Sequence, residues 1–118
     1  MAFRFEHLDI WKNAVGYCKR IYTTTKKFSR DELFALTNQL RRVVSSIPTN
    51  IAEGSGSSSQ KDFCHYLDIV IKSLYETVSL LYLAKEQDYI SEADRITLYE
   101  EAEVLVKKIK VFQNTLRS

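Results

Sequence analysis

Apolar residues recur at three- and four-residue steps through residues 36–54, L-T-N-Q-L-R-R-V-V-S-S-I-P-T-N-I-A-E-G. That period places them on one face of a helix. The face consists of Leu36, Leu40, Val43, Val44, Ile47 and Ile51. Pro48 lies inside the pattern, where it removes a backbone donor and crowds the carbonyl of Val44, at a cost of about 3 kcal/mol. Because the apolar face continues to Ile51, the sequence predicts a helix that is kinked at Pro48 and ends near Gly54.

A polar stripe runs beside this apolar face. It consists of Gln39, Arg42, Ser46, Asn50 and Glu53, and we call it the polar shoulder. Its members fall within roughly 60° of one another, and its centre lies roughly 100° from the apolar centre. Two interpretations are open. In the first, the shoulder forms a structural motif with Pro48 and Gly54 and locks the helices together through hydrogen bonds. In the second, it contributes to a binding surface.

Turn-forming residues are scarce in this chain. It has three glycines and one proline among 118 residues, and no segment alternates clearly between polar and apolar residues. Hydrophobic residues make up 45% and charged residues 27%, which is ordinary for a globular domain. The sequence predicts a single all-α domain over residues 1–118, an antiparallel up-down four-helix bundle with short connections. A capping box is predicted at residues 29–32, and helix caps are predicted at residues 59–62 and 91–94.

The first and last predicted helices each carry an apolar seam. In the first, over residues 8–26, the seam is Leu8, Trp11, Val15, Cys18, Tyr22 and Thr25, widened by Ala14 and Ile21. In the last, the seam is Leu98, Ala102, Leu105, Ile109, Phe112 and Leu116. The spacing of the second seam is close to a heptad, which suits packing in a bundle.

The third predicted helix, ending near Lys85, is apolar over most of its circumference. Its polar residues share one stripe roughly 80° wide: Lys61, His65, Asp68, Lys72, Glu76 and Ser79. A bundle helix needs only about 100° of apolar face. We therefore expect the surplus apolar surface of this helix to form a subunit interface, since patches of that size are rare on monomers.

Residues suited to catalysis or metal binding are few. Histidine occurs twice, at His7 and His65, and cysteine twice, at Cys18 and Cys64. Cys64 and His65 are adjacent in a helix, so they point in different directions. Neither the spacing of a zinc site nor the paired Glu-x-x-His motifs of a di-metal bundle occurs in the sequence. The sequence thus predicts a non-enzymatic protein with no metal, no cofactor, and two reduced thiols.

The charge balance permits contact with nucleic acid without requiring it. Lysine and arginine number 17 against 15 acidic residues, for a net charge of +2. Positive residues could gather on one surface only through the fold. The candidates are Arg41, Arg42, Lys12, Lys19, Arg20, Lys107, Lys108 and Lys110. Such side chains would neutralise phosphates while exposed tyrosines stack on bases. The alternative is a protein-interaction or structural scaffold without nucleic-acid affinity, in which basic residues near helix ends complement the helix dipole.

Several stretches together resemble one family signature. They are Q-L-R-R…S-I-P-T-N-I-A-E-G, F-E-H-L-D-I-W-K-N-A, K-D-F-C-H-Y-L and S-L-Y-E. This pattern is similar to that of a small bacterial family of four-helix bundles encoded within intervening sequences of 23S rRNA genes, once labelled ribosomal proteins. It also resembles the accessory variability protein of diversity-generating retroelements. The resemblance implies a homo-oligomer, typically a ring-shaped pentamer, with RNA, DNA or a reverse transcriptase as partner.

Serines follow the Ala-Glu-Gly turn, at the place where a basic residue is usual in the family. No charged leader and no stretch of about 20 apolar residues occurs. The sequence therefore predicts a cytoplasmic protein with no membrane contact.

Overall fold

The computed structural model describes residues 2–28 and 33–117, with the backbone alone for residues 33 and 34. Its helical elements in those ranges are a 3₁₀ turn (Arg4–His7), α1 (Asp9–Thr25), a π-helical turn (Leu33–Thr37), α2 (Asn38–Ser55), α3 (Gln60–Glu86) and α4 (Glu92–Arg117). No strand occurs in the described ranges, so the all-α prediction with four main helices is confirmed. The predicted capping box, residues 29–32, lies outside the described residues.

Serine side chains begin the two long helices, as the sequence predicts. The Ser59 hydroxyl accepts a hydrogen bond from the backbone N–H of Asp62 at 3.0 Å, at the start of α3. The Ser91 hydroxyl accepts one from Asp94 N–H, also at 3.0 Å, at the start of α4. Each bond satisfies one of the backbone donors that a helix N-terminus leaves without an intrahelical partner.

The end of α3 is a left-handed cap at Asp88, whose φ is 63°. The N–H of Asp88 donates to the Lys85 carbonyl at 3.0 Å, and the N–H of Tyr89 donates to the Ala84 carbonyl at 2.9 Å. This pair of bonds is the Schellman pattern, which usually has glycine at the left-handed position. The Tyr89 ring then packs against Phe28 with their centroids 5.5 Å apart.

The predicted apolar face of α2 is confirmed. All six predicted members are buried: Leu36 in the preceding π-helical turn, and Leu40, Val43, Val44, Ile47 and Ile51 in α2 itself. They join one hydrophobic core to which all four helices contribute.

The predicted seam of α1 is confirmed only in part, at Ala14, Ile21 and Thr25. The buried residues are Ile10, Ala14, Tyr17, Ile21 and Thr25. Val15 and Tyr22, predicted to be buried, are 41% and 37% exposed. Two overlapping apolar stripes run along this helix, and α1 packs against both α2 and α4. The sequence pattern identified the stripe beside α2, but it omitted Ile10 and Tyr17 of the stripe that faces the centre of the bundle.

The polar stripe of α3 faces solvent as predicted, since all six of its members are exposed. Most of the large apolar arc is buried within the chain, because α3 packs extensively against both α2 and α4. Four large apolar side chains of α3 remain exposed: Ile69, Tyr75, Tyr82 and Leu83. The surplus apolar surface of this helix is therefore smaller than its sequence indicates.

The α4 seam is buried except for one position. Phe112 is only partly buried, with its ring against Phe63 at a centroid distance of 5.6 Å. The neighbouring Gln113 is 3% exposed and occupies the core position instead. Its amide donates to the Cys64 carbonyl at 3.0 Å and to the Asp68 carboxylate at 2.8 Å. Those bonds compensate the burial of a polar side chain between α3 and α4.

Candidate nucleic-acid interface

Two members of the polar shoulder bind backbone and a neighbouring helix. The Ser46 hydroxyl donates to the Val43 carbonyl at 2.5 Å and lies 3.0 Å from the Ser73 hydroxyl of α3. The Asn50 amide donates to the Ser46 carbonyl at 2.8 Å. These two members fit the structural interpretation, since each donates a hydrogen bond to a backbone carbonyl of the helix that carries it.

The other three members of the polar shoulder, Gln39, Arg42 and Glu53, are exposed. Gln39 and Arg42 line an open cleft of about 490 Å³ between α2 and α3, together with Ser73 and Glu76. Within the described part of the chain, Arg42 forms no hydrogen bond or ion pair.

Pro48 lies inside α2 (Asn38–Ser55), and the helix continues without a break on both sides of it. Side chains around it bond to carbonyls of the preceding turn. Ser45 donates to the Arg41 carbonyl at 2.7 Å, and Thr49 donates to the Ser45 carbonyl at 2.9 Å. Together with Ser46 and Asn50, they surround the proline with side-chain hydrogen bonds of a kind that accompanies helix bending.

The predicted end of α2 near Gly54 is confirmed, since the helix has Gly56 as its C-cap, and Gly54 itself has a packing role as well. It lies inside α2, which ends one residue later, and it is buried. A Cβ atom at this position would lie 2.7 Å from Tyr66 Cβ and 2.8 Å from Phe63 Cδ1. The missing side chain of Gly54 is what lets α3 approach α2 this closely.

Arg41 connects α2 to the end of α1 through hydrogen bonds. Its Nε donates to the Thr25 hydroxyl at 2.9 Å, and its guanidinium donates to the Tyr22 carbonyl at 3.4 Å. The same guanidinium lies 4.9 Å from the centre of the Tyr22 ring. A positive charge at a helix C-terminus is favourable because it complements the helix dipole. Arg41 and Arg42 thus serve different faces of α2, as adjacent helical residues must.

The basic residues of α1 are divided between solvent and α4. Lys12 and Lys19 are exposed, seven residues apart on the outer side of the helix. Arg20 forms an ion pair with Glu101 of α4. Lys108 lines the same α1–α4 cleft as Arg20. Arg20 and Lys108 are therefore brought together, but on a face that Arg42 does not share.

The remaining two basic candidates, Lys107 and Lys110, line a groove of about 350 Å³ between α3 and α4. Tyr75 of α3 and Tyr99 of α4 line the same groove and are 65% and 36% exposed. The floor is apolar, and the other lining residues are Leu74, Val78, Ala102, Glu103 and Val106. We call this the tyrosine–lysine groove. The sequence pattern did not single out Tyr75 and Tyr99, because only the packing of two helices places them beside the lysines.

The nucleophilic side chains have structural surroundings. The Cys64 thiol is buried and donates to the Gln113 carbonyl at 3.8 Å, whereas His65 is exposed. Cys18 Sγ lies 3.9 Å from the Ser45 hydroxyl. Burial raises the pKa of the Cys18 thiol, which disfavours the reactive thiolate. Across the residues described, no group of His, Cys, Asp and Glu is arranged to hold a metal ion. None of the helices in this part of the chain is long and apolar enough to span a bilayer.

The sequence pattern of a protein family described as 23S rRNA-intervening sequence protein matches residues 6–111 of this chain. That match covers most of its 118 residues. The chain belongs to this family. A similar crystal structure is that of a protein of unknown function from the S23 ribosomal protein family of Bacteroides thetaiotaomicron. It is 22% identical, with a TM-score of 0.78 over 88% of this chain and 97% of that one. At this identity the likeness establishes a shared fold. No curated protein matches the chain.

In this member of the 23S rRNA-intervening sequence protein family, the motif at residues 36–54 has two parts. Ser46, Asn50 and Gly54 act within the bundle, through hydrogen bonds and close helix approach. Arg42 lies at the surface in a cleft of its own, separate from the tyrosine–lysine groove. The eight basic candidates thus occupy several faces of the chain.

Proposed function

We propose that this protein is a non-enzymatic, homo-oligomeric binding protein for nucleic acid, with RNA as the preferred ligand. The observation that carries the proposal is the tyrosine–lysine groove, where exposed Tyr75 and Tyr99 lie beside Lys107 and Lys110. The family's link to intervening sequences of 23S rRNA supports RNA over DNA.

The groove combines the two kinds of contact that single-stranded nucleic acid needs. An aromatic ring stacked on a base contributes about 1–3 kcal/mol without reading its identity. Lysines beside the rings neutralise phosphates of the same strand and release counterions. Glu103 lines the groove too and offsets one of the two positive charges. A single groove is therefore a weak site, and several copies in one assembly would bind more tightly through multivalency.

The oligomer that we propose is a ring of the kind typical of the family, a pentamer, acting in the cytoplasm. A reverse transcriptase is a protein partner that the resemblance also suggests. Sedimentation velocity at micromolar concentration tests the assembly directly. A monomer under those conditions would remove the multivalent part of the proposal.

We also infer that the helices alternate in direction, up and down, with α2 bent at Pro48. Two contacts between α3 and α4 support the alternation. Cys64, early in α3, contacts Gln113, late in α4. The guanidinium of Arg95, early in α4, lies 4.3 Å from the ring centre of Tyr82, late in α3. A crystal structure with α3 and α4 running the same way, or with a straight α2 axis, would contradict this inference.

The first experiment is a titration with single-stranded RNA, structured RNA and duplex DNA at about 50 and 200 mM salt, since phosphate contacts make affinity fall steeply with salt. The double variant Lys107→Ala/Lys110→Ala should weaken binding and flatten the salt dependence by about two units of slope. Lys12→Ala/Lys19→Ala is the matched control, because it removes the same charge from an exposed face of α1.

Stacking is tested separately with Tyr75→Phe, which keeps a ring, and Tyr75→Ala, which removes it. We expect Phe to retain binding and Ala to lose roughly tenfold or more, as expected for one base–ring stack. Equal losses of affinity in the Lys107→Ala/Lys110→Ala and Lys12→Ala/Lys19→Ala variants would exclude the groove as the site. Unchanged affinity in Tyr75→Ala would exclude it as well. Loss confined to Arg41→Ala/Arg42→Ala would assign binding to the surface of α2.

The second candidate is a protein-interaction scaffold without nucleic-acid affinity. It is favoured by the scatter of the basic residues and by the engagement of Arg20 and Arg41 in contacts within the chain. Absence of binding to every nucleic acid at low salt would overturn the first candidate and turn the search to protein partners.

A further inference from the structure

A second cleft adjoins the tyrosine–lysine groove along the seam between α3 and α4. It has a volume of about 430 Å³ and is lined by Lys72 of α3 and by Lys110 and Arg117 of α4. Lys110 lines the tyrosine–lysine groove as well, so the two clefts meet at this side chain. We call the second one the lysine–arginine cleft. Together the two clefts form one continuous surface, the α3–α4 track, which begins at Tyr99 and ends at Arg117.

Positive charge exceeds negative charge in the lysine–arginine cleft, as it does in the tyrosine–lysine groove. Among the described residues that line this cleft, three are basic and one, Asp68, is acidic. The Asp68 carboxylate accepts a hydrogen bond from the Gln113 amide at 2.8 Å, so one of its oxygens is engaged by α4. Lys72, Lys110 and Arg117 are exposed. The track therefore presents its surplus positive charge at the surface along its whole length.

Three other surface clefts of the bundle have balanced charges among their described lining residues. Two of them lie between α1 and α4, and one lies between α2 and α3. Because a phosphate backbone is attracted by net positive charge, the α3–α4 track is the most favourable of these surfaces for a nucleic acid. The balanced sets, cleft by cleft, are Arg20 and Lys108 with Glu100 and Glu101, Lys19 and Arg20 with Asp94 and Glu101, and Arg42 with Glu76.

Arg95 bounds the aromatic end of the track. Its guanidinium lies 4.3 Å from the ring centre of Tyr82 and 5.9 Å from that of Tyr99. It also forms an ion pair with Glu92, and its side chain is 12% exposed. The positive charge of Arg95 is thus neutralised within α4. A strand that stacks on the tyrosines of the groove therefore finds further phosphate contacts in the other direction, along the lysine–arginine cleft.

We propose that a single strand of RNA occupies the whole α3–α4 track. Its bases stack on Tyr75 and Tyr99, and its phosphate backbone continues past Lys110 to Lys72 and Arg117. This inference rests on the proposed function and adds to it the single-stranded form of the ligand, a footprint and two contact residues. A duplex fits the track poorly, because its bases are stacked on one another and their faces are not open to the tyrosine rings.

The length of the track sets the footprint. Tyr99 and Lys110 are eleven residues apart along α4, which is about 16 Å at 1.5 Å per residue. Tyr99 and Arg117 are eighteen residues apart, which is about 27 Å. A strand whose bases remain stacked as in a duplex advances about 3.4 Å per nucleotide. The tyrosine–lysine groove alone thus holds about five nucleotides and the whole track about eight, within the range of about 4–16 nucleotides for single-strand sites.

The decisive experiment measures binding of a single-stranded uridine oligomer of about ten nucleotides to the full chain by fluorescence anisotropy at several salt concentrations. The variant Lys72→Ala/Arg117→Ala should weaken binding at least tenfold at about 50 mM salt. It should also lower the slope of the salt dependence by about 1.4, since each phosphate contact of a single strand contributes about 0.7. Lys12→Ala/Lys19→Ala is the matched control, because it removes the same charge from α1, and it should retain the affinity and slope of the parent chain.

The possible failures of the inference and of the proposed function differ. Equal losses in Lys72→Ala/Arg117→Ala and in the control would overturn the inference, and the proposed function would stand if Lys107→Ala/Lys110→Ala weakens binding further. A parent chain that binds a duplex as tightly as the oligomer, or binds structured RNA and not the oligomer, would also overturn the inference alone. Absence of binding to every nucleic acid would overturn both.

A second measurement depends on strand length and not on absolute affinity. Uridine oligomers of increasing length should gain affinity up to about eight nucleotides, the span from Tyr99 to Arg117, and then level off. In Lys72→Ala/Arg117→Ala the gain should stop at about five nucleotides, the span from Tyr99 to Lys110. A gain that stops at about five nucleotides in the parent chain as well would confine the strand to the tyrosine–lysine groove and overturn the inference.

Discussion

Replacing Gly54 by alanine tests whether the packing of α2 on α3 depends on the absence of a single methyl group. The new Cβ would lie 2.7 Å from Tyr66 Cβ and 2.8 Å from Phe63 Cδ1. Carbon atoms in contact normally lie about 3.5–4.0 Å apart, so the methyl group is short of space by about 1 Å. Tyr66 Cβ is fixed to the backbone of α3, and Phe63 is 1% exposed. Relief therefore requires α3 to move as a unit.

The magnitude follows from two opposing terms. Overpacking of a close-packed core costs about 1–3 kcal/mol, and a contact against backbone-fixed atoms belongs at the upper end. Alanine gains about 1 kcal/mol over glycine inside a helix. We expect Gly54→Ala to lower the free energy of unfolding by about 2 kcal/mol. Gly16→Ala in α1 is the control, because its Cβ would approach only the flexible guanidinium of Arg20, at 3.5 Å. That substitution should raise stability by about 0.5–1 kcal/mol.

Urea unfolding followed by far-ultraviolet circular dichroism measures both variants at one fixed protein concentration, since association would otherwise shift the apparent stability. The two midpoints should move in opposite directions at an unchanged slope. If Gly54→Ala is as stable as Gly16→Ala, the close approach of α2 and α3 does not depend on this glycine and the packing argument is refuted.

Three further substitutions have expected outcomes in the same assay. The buried Thr37 hydroxyl has no hydrogen-bond partner among the described residues, so Thr37→Val should stabilise by about 1 kcal/mol. Thr77→Val removes a bonded hydroxyl and should not stabilise, and equal effects of the two substitutions would contradict this. Asp88→Gly should stabilise by about 1 kcal/mol by relieving the left-handed φ, and an unchanged midpoint would argue against strain there. Burial raises the pKa of Tyr17, so its contribution to the free energy of unfolding is fully present below the ordinary pKa of about 10 and is lost as pH rises beyond it. Tyr17→Phe should flatten that fall in stability. An identical pH profile in the variant would refute the assignment.

The α2 face and the two long-helix caps were predictable because local rules decide them. A period of 3.6 residues identifies a single apolar face whenever only one stripe is apolar, as in α2. Serine is a preferred N-cap residue, and at Ser59 and Ser91 its hydroxyl accepts from the backbone N–H three residues later. The family membership was likewise predicted, because the motif at residues 36–54 is long and lies in one segment.

The errors and omissions arise where two elements meet. α1 has overlapping apolar stripes, and only its position between α2 and α4 determines which one is buried. Gln113 is polar, so no pattern assigned it to the core; a carbonyl and a carboxylate of α3 make its burial possible. The predicted apolar surplus of α3 was overestimated, because a helix between two neighbours uses more of its circumference than a helix at an edge.

The sequence by itself determined the all-α class, the α2 face, the serine caps and the family, since each depends on residues within a few turns of one another. Only the tertiary structure decided that Gly54 is a contact point and that Arg41 is engaged by α1. It alone brought Tyr75 and Tyr99 beside Lys107 and Lys110. The physical reason is that helical periodicity fixes the direction of a side chain relative to its own axis. What that side chain meets depends on the rotation and separation of neighbouring helices, which packing determines.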